Sequence, residues 1–391
     1  MVTILLLTII YLAFISLGLP DAIFGVAWPV IRDDYGLSLD NAGYISVTIT
    51  IGTIMSSLLS GYLIDKLGTG KITLISVGLT AIALFGFGIA PSFYWLIILS
   101  FPLGFGAGSI DTALNNYVAI HFKAHHMNWL HSFWGIGATL GPVIMSASLS
   151  LNASWQSGYK TLSYIQLVFF LLIFLSLPLW KRHEKIKDGN NIIPNKIKTS
   201  FNSILKIKGV KLSLLAFVIY TAIEFSIGLW GASYLVNIRT ISISLAASLI
   251  ASYYFGITIG RIIAGFISFK LDNTQLIFIG IIIFISATFF LVFNIPRFYL
   301  IIIFFIQGIG LAPIFPAMIH ETPKRFGKDK SQYIIGYQMA SAYIGASMLP
   351  ASFGILARNT SLNIYPYFLL VFGIILITIT ISIHIQISKT A

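Results

Sequence analysis

The sequence predicts an all-α integral membrane protein whose twelve transmembrane helices form two parallel-repeat six-helix bundles. Three observations predict it. Of 391 residues, 57% are hydrophobic and 9% are charged, against about 25% charged in a soluble domain, and the mean hydropathy is +0.91. The apolar runs are long and continuous, as in 162–179 and 276–293. Such runs suit helices, which need roughly 20 apolar residues to cross the hydrocarbon core, whereas a membrane barrel would alternate. Glycines also recur in the two halves of the chain at an offset of 204 residues.

Twelve spans are expected near 4–31, 41–64, 72–90, 94–119, 129–151, 159–180, 212–236, 243–268, 275–293, 298–320, 331–356 and 364–387. The first carries Asp21 and has no basic segment before it, so it reads as a retained helix and not a cleaved leader. Pro20 frees backbone groups beside Asp21, as in broken transporter helices, and the spacing of Asp21 and Trp28 puts both on one helical face. The fourth span runs through Gly104, Gly106 and Gly108 to Asp111 and Asn115, which stack at i, i+4, with Asn116 alongside. In the fifth, His131, Trp134 and Ala138 fall on one stripe, and in the seventh Tyr220, Glu224 and Gly228 do the same. The eighth holds Arg261, and the tenth and eleventh carry the amides Gln307 and Gln338.

Orientation follows from the basic residues. With the N-terminus inside, eighteen Lys and Arg fall in inner loops and five in outer loops. The net charge of +12 is therefore mainly a topology signal, and nucleic acid is not an expected partner. Nine of the basic residues lie between 181 and 211, a polar segment that divides the spans six and six. The domains predicted are a first bundle at 1–180, a cytoplasmic basic linker at 181–211 that can rest on the anionic inner leaflet, and a second bundle at 212–391.

The halves align in detail. Gly52, Gly61, Lys66 and Leu67 fall on Gly256, Gly265, Lys270 and Leu271; Gly104 and Gly106 fall on Gly308 and Gly310; Ala138 and Gly141 fall on Ala342 and Gly345. At an offset of 203, Asp21 and Gly25 fall on Glu224 and Gly228. Six spans per half keeps both copies in one orientation, a parallel repeat about the membrane normal. Small residues on these faces let helices approach closely.

After the second span the chain reads Gly61-Tyr-Leu-Ile-Asp65-Lys66-Leu-Gly68-Thr-Gly-Lys71. This resembles the signature loop of the major facilitator superfamily, G-x-x-x-D-[RK]-x-G-x-x-[RK], and together with the spans, the central linker and the repeat the resemblance covers the whole chain. It implies that Gly61, Asp65, Lys66, Gly68 and Lys71 form an inner-gate latch. In the second half Phe269 stands at the Asp65 position, so that copy is degenerate.

Asp21, Asp111, Glu224 and Arg261 are the ionisable groups placed within spans, where a charge must face a cavity, pair or be neutralised. They are the candidate coupling residues, although a mutual salt bridge would satisfy Glu224 and Arg261 with no part in transport. Trp28, Asn115, Asn116, His131, Trp134, Tyr220, Gln307 and Gln338 are the candidate substrate-binding residues, because aromatic faces beside amides and carboxylates suit a sugar. His131 reads either as a relay within the span or as a solvated histidine at the loop edge, near His121, His125 and His126. These loop histidines lack acid or thiolate partners and the chain has no cysteine, so no metal site or cofactor is expected.

The run Gly106-Ala-Gly108-Ser-Ile-Asp111-Thr112-Ala113-Leu-Asn115-Asn116, followed by Leu130-His131-Ser-Phe133-Trp-Gly135-Ile-Gly137-Ala138-Thr-Leu-Gly141-Pro142, resembles the fucose–galactose–proton symporter branch and is similar to related sodium–glucose transporters. The resemblance implies a coupling role for Asp111, sugar and proton handling for Asp21, and a matching amide in Asn115. The chain departs from it in carrying Asp at 111 where fucose permeases have Glu, Asn116 where Pro is frequent, and His131 where an amide is frequent.

The function expected is secondary active uptake of a sugar or similar small polar solute between the two halves, coupled to protons with sodium as the alternative ion. The expected setting is a monomer among membrane lipids in a bacterial inner membrane, with both termini in the cytoplasm. A drug/proton antiporter is the competing transport reading, since Gly137-x-x-x-Gly141-Pro142 is part of the exporter glycine–proline element. A receptor or lipid flippase is the reading from another class. No phosphate-binding loop or nucleophile–base constellation supports an enzyme.

Overall fold

The computed structural model describes residues 2–21, 23–38, 41–150, 154–188 and 201–388. Among them the chain is helical, with no β-strand. In order the helices are α1 (Val2–Gly18), α2 (Ile23–Asp34), α3 (Ala42–Leu67), α4 (Thr69–Gly88), α5 (Phe93–His121), α6 (Ala124–Ser150), α7 (Trp155–Asp188), α8 (Phe201–Leu205), α9 (Val210–Asn237), α10 (Ile243–Ile267), α11 (Asn273–Phe290), α12 (Arg297–Leu311), α13 (Ile314–Phe326), α14 (Lys328–Asn359) and α15 (Tyr365–Ser388). They supply twelve segments long and apolar enough to cross a membrane among the described residues, which makes this a multi-pass membrane protein.

Two of the spans are made of two helices each. The first breaks between α1 and α2, where Pro20 cannot donate to the helical ladder and Asp21 N–H bonds to Gly18 O at 3.2 Å. The tenth breaks between α12 and α13 at Ala312 and Pro313. Several helices run beyond their expected limits. α7 reaches from Trp155 to Asp188, so Lys160, expected in an outer loop, lies within a helix. α5 and α6 leave only Phe122 and Lys123 outside helix where a nine-residue loop was expected. Part of the expected linker, 189–200, lies outside the described residues.

By contacts the chain forms two compact units, Met1–Tyr117 with Leu130–Lys198, and Val118–Trp129 with Thr199–Ala391. The elbow joining α5 to α6 thus packs with the second unit, whereas it was assigned by sequence to the first bundle. In the first unit α4 packs on α7 and α1 on α7; in the second α9 packs on α14, and α12 on α10 and α11.

The repeat in sequence is a repeat of helix crossings. A Cβ on Gly104 would strike the Ile49 carbonyl, and one on Gly52 the Phe101 carbonyl. One repeat later, Gly308 meets the Tyr253 carbonyl and Gly256 meets that of Phe305. Gly106 abuts Ser76 O as Gly310 abuts Gly280 O. Between Ser56 and Gly108 in the first unit, and Gly260 and Ala312 in the second, the small residue has changed sides of the contact. Helices in lipid associate through such close packing, since water supplies no driving force there.

Candidate functional site

In the first unit the α1–α2 break puts Asp21 beside α6, where the Trp134 indole Nε1 donates to Asp21 Oδ2 at 2.7 Å. The approach is close because Gly18 lies against the Trp134 carbonyl, and Gly137 and Gly141 against those of Ile15 and Leu19. Asp21 keeps an exposed surface. Asp111 is half-buried on α5 of the same unit. Asn115 donates Nδ2 to Asp111 Oδ1 at 2.8 Å and to the Asp111 carbonyl at 2.9 Å. Its Oδ1 accepts from His131 Nε2 at 3.1 Å. Asp111, Asn115 and His131 therefore form one directed chain of hydrogen bonds, with the proton of His131 on Nε2. His131 is 6% exposed, so it is a buried member of this network and not a solvated residue at the loop edge.

Aromatic groups beside this chain were not singled out by sequence. Tyr11 stacks on Phe133 with ring centroids 4.6 Å apart and 4° between planes, and Phe14 stands edge-on to His131 at 5.5 Å. The seven-residue spacing of Tyr11 and Gly18 on α1 was the available signal. Asn116, next to Asn115, is buried.

Trp28 requires a correction. The helix breaks between Gly18 and Ile23, so the seven-residue spacing does not carry a face from Asp21 to Trp28. Trp28 is buried in an apolar core with Phe24 and Phe93.

The second unit gathers a different set. Arg261 Nη2 lies 3.6 Å from Glu224 Oε1, with both side chains largely buried. The Tyr253 hydroxyl donates to the Glu224 carbonyl at 3.4 Å, and Tyr220 donates to Leu311 O at 3.2 Å. Gln307 and Gln338 are fully buried and bonded to neighbouring helices. Gln307 donates to Thr288 Oγ1 at 2.9 Å, while Gln338 donates to Ser213 Oγ at 2.8 Å and accepts from Thr322 Oγ1 at 3.0 Å. These amides satisfy helix-packing hydroxyls.

Between Lys66 and Lys71, Gly68 alone separates α3 from α4. Its φ of 78° is one that residues with a Cβ rarely adopt, and its N–H caps Ile64 O at 2.8 Å. Gly61 is buried, Asp65 and Lys66 are exposed at the end of α3, and Lys71 is exposed in the first turn of α4.

The family model of the Major Facilitator Superfamily matches residues 10–239 and 212–385. Among relatives, the chain is 25% identical over 273 residues to the glucose/mannose transporter GlcP of Bacillus subtilis (strain 168), covering 68% of this chain and 66% of that protein. It is 28% identical over 270 residues to the hexuronate transporter of the same organism, covering 66% of this chain and 63% of that one. Among solved structures, FucP in its outward conformation, an E. coli fucose:proton symporter, superposes with a TM-score of 0.76 at 15% identity over 99% of both chains. The proton:xylose symporter XylE superposes with a TM-score of 0.77 at 13% identity over 97% of this chain and 94% of that one. At such identities the structural likeness shows the fold. The family model spans both halves, and the chain belongs to the Major Facilitator Superfamily, whose members are transporters and not enzymes.

Proposed function

We propose that the protein takes up a sugar or similar small polar solute by alternating access, driven by protons, with Asp21 and Asp111 as the coupling carboxylates. The observation that carries this reading is the grouping of Asp21, Trp134, Asp111, Asn115 and His131 in one unit. It supplies two carboxylates in different settings, one exposed at a helix break and one tied to an oriented amide. A carboxyl that exchanges protons with two sides in turn is what coupling needs. Trp134, Tyr11 and Phe133 offer ring faces for the C–H surface of a sugar, while carboxylate and amide oxygens suit its hydroxyls. The substrates of the glucose/mannose transporter and the fucose symporter that the chain resembles support the substrate class.

In this reading Glu224 and Arg261 hold the second unit together as an ion pair, and the loop from Gly61 to Lys71 serves the inner gate. The setting is a bacterial inner membrane with both termini in the cytoplasm, the protein working as a monomer.

The test is uptake into proteoliposomes of labelled glucose, mannose, fucose, xylose and a hexuronate, with an inward proton gradient, an inward sodium gradient, or neither. The expected result is uphill accumulation of at least one sugar with the proton gradient alone. Accumulation with sodium alone would replace the coupling ion, and no sugar accumulation under either gradient would overturn the reading.

A further inference from the structure

The elbow Val118–Trp129 packs with the second unit, and histidine dominates the contact. His125 stacks on Phe269 of the α10–α11 turn with centroids 4.4 Å apart, and Trp129 stands edge-on to Phe266 at 5.4 Å. Gly265 leaves the room that the Trp129 indole fills. Phe269 occupies the position that Asp65 holds in the first half. The second copy of the signature loop has therefore exchanged a carboxylate for a ring that receives an imidazole. His126 lies 4.1 Å from His125, centroid to centroid.

A third histidine ties the elbow down by its backbone. His320 of α13 lies with Nε2 2.9 Å from Phe122 O and Nδ1 2.9 Å from Asn273 Nδ2. The carbonyl accepts, so Nε2 carries the proton; the amide donates, so Nδ1 is bare. Asn273 gives its other amide proton to Glu321 Oε1 at 3.0 Å. Only the neutral ring satisfies this chain. A proton on Nδ1 would face a donor, and turning the Asn273 amide over would instead set its oxygen against Glu321.

We propose that His320, His125 and His126 form a proton-operated latch, which docks the α5–α6 elbow on α10, α11 and α13 when the rings are neutral and releases it when they are protonated.

The surrounding charges favour release. The elbow itself carries His121 and Lys123. α13 adds Glu321, Lys324 and Arg325; Asp272 precedes α11; Lys328 opens α14. Glu321 is already engaged by Lys324 at 3.9 Å and Arg325 at 3.5 Å. One imidazolium over the Phe269 ring would be attracted to its face, but a second at His126 beside it repels, with Lys123 adding to the repulsion. A cavity of about 450 Å³ lined by Asp272, Asn273, His320, Glu321 and Lys324 gives water a path to the His320 ring. By the charge count this end faces the cytoplasm. The elbow runs directly into α5, which carries Asp111 and Asn115, and into α6, which carries His131 and Trp134, so undocking it bears on both helices of the proposed site.

The chain has no cysteine, so spin labels attach only at introduced sites. Lys123→Cys on the elbow and Lys211→Cys on α9 are both exposed. In lipid nanodiscs, the distance distribution between them should be short at about pH 7.5 and gain a longer population as the pH falls to about 4, because burial disfavours the charged rings and moves release below the ordinary histidine range. The H125Q/H126Q/H320Q variant should lose that response. An unchanged wild-type distribution between the two pH values overturns the proposal, as does a wild-type response in the triple variant. If the triple variant does not fold, H320Q alone and the wild-type titration decide the matter. The readout is a distance and not transport, so it stands apart from the uptake assay.

Discussion

Gly308 of α12 lies directly against the backbone carbonyl of Tyr253 in α10, and 204 residues earlier Gly104 of α5 lies in the same way against Ile49 of α3. The obstacle in both places is backbone, which cannot rotate aside. Gly104→Ala and Gly308→Ala should therefore each destabilise the protein by about 1–3 kcal/mol, the range for overpacking a well-filled contact. Thermal unfolding in detergent should show both losses. Gly43→Ala, where a Cβ meets nothing within 4 Å, should not lower the midpoint, since Ala favours the helix over Gly.

The coupling assignment predicts a split between two assays. Asp111→Asn should abolish accumulation against a gradient while leaving solute exchange across the membrane intact, because the site persists and only its proton is lost. Radiolabel accumulation and counterflow in proteoliposomes measure the two. Accumulation at the wild-type level would refute the assignment.

Trp134 touches Asp21 through one N–H, and Trp134→Phe removes that donor while keeping an aromatic ring. A hydrogen bond to a charged group contributes about 1.5–3 kcal/mol to stability, so the variant should unfold more easily by up to about that much, and uptake at low solute concentration should fall because Asp21 is no longer held in place. Initial rates over a range of solute concentrations check this.

The Glu224–Arg261 pair should behave as a buried ion pair. Removing either partner leaves a stranded charge, costing about 3–5 kcal/mol, whereas apolar groups at both positions are far better tolerated. Glu224→Gln and Arg261→Met singly should thus lower the unfolding midpoint more than the Glu224→Met/Arg261→Met double variant does. Equal or additive losses in the double variant would show that the pair does not act as a unit.

The orientation can be read from labelling. Lys71→Cys and Tyr94→Cys are each exposed, at opposite ends of the α4–α5 hairpin. A membrane-impermeant maleimide applied to intact cells should label Tyr94→Cys, and Lys71→Cys should react only after the membrane is opened.

Legibility in the sequence depended on whether a relationship lay within one continuous helix. Asp111 and Asn115 were paired by their spacing, and the structure joins them through two hydrogen bonds. The same reasoning applied to Asp21 and Trp28 failed, because Asp21 lies in the break after α1 while Trp28 lies on α2, which starts only at Ile23, so the two share no continuous helix. Gln307 and Gln338 were conspicuous as amides in apolar spans, but their partners Thr288, Ser213 and Thr322 lie on other helices, beyond the reach of spacing within one helix. Phe269 looked like the loss of a motif until His125 was found stacked on it.

The sequence by itself determined the membrane class, the number of spans, the orientation bias and the halfway repeat. Each follows from composition along the chain and from the length of helix that lipid demands. Only the tertiary structure decided that Asp21 meets Trp134, that His131 completes the Asp111 chain, and that the α5–α6 elbow belongs with the second unit. The reason is physical. A hydrocarbon environment requires every buried polar group to find a partner, which sequence reveals, but the identity of that partner is chosen by helix packing, in which small residues far apart in the chain set which backbones come close.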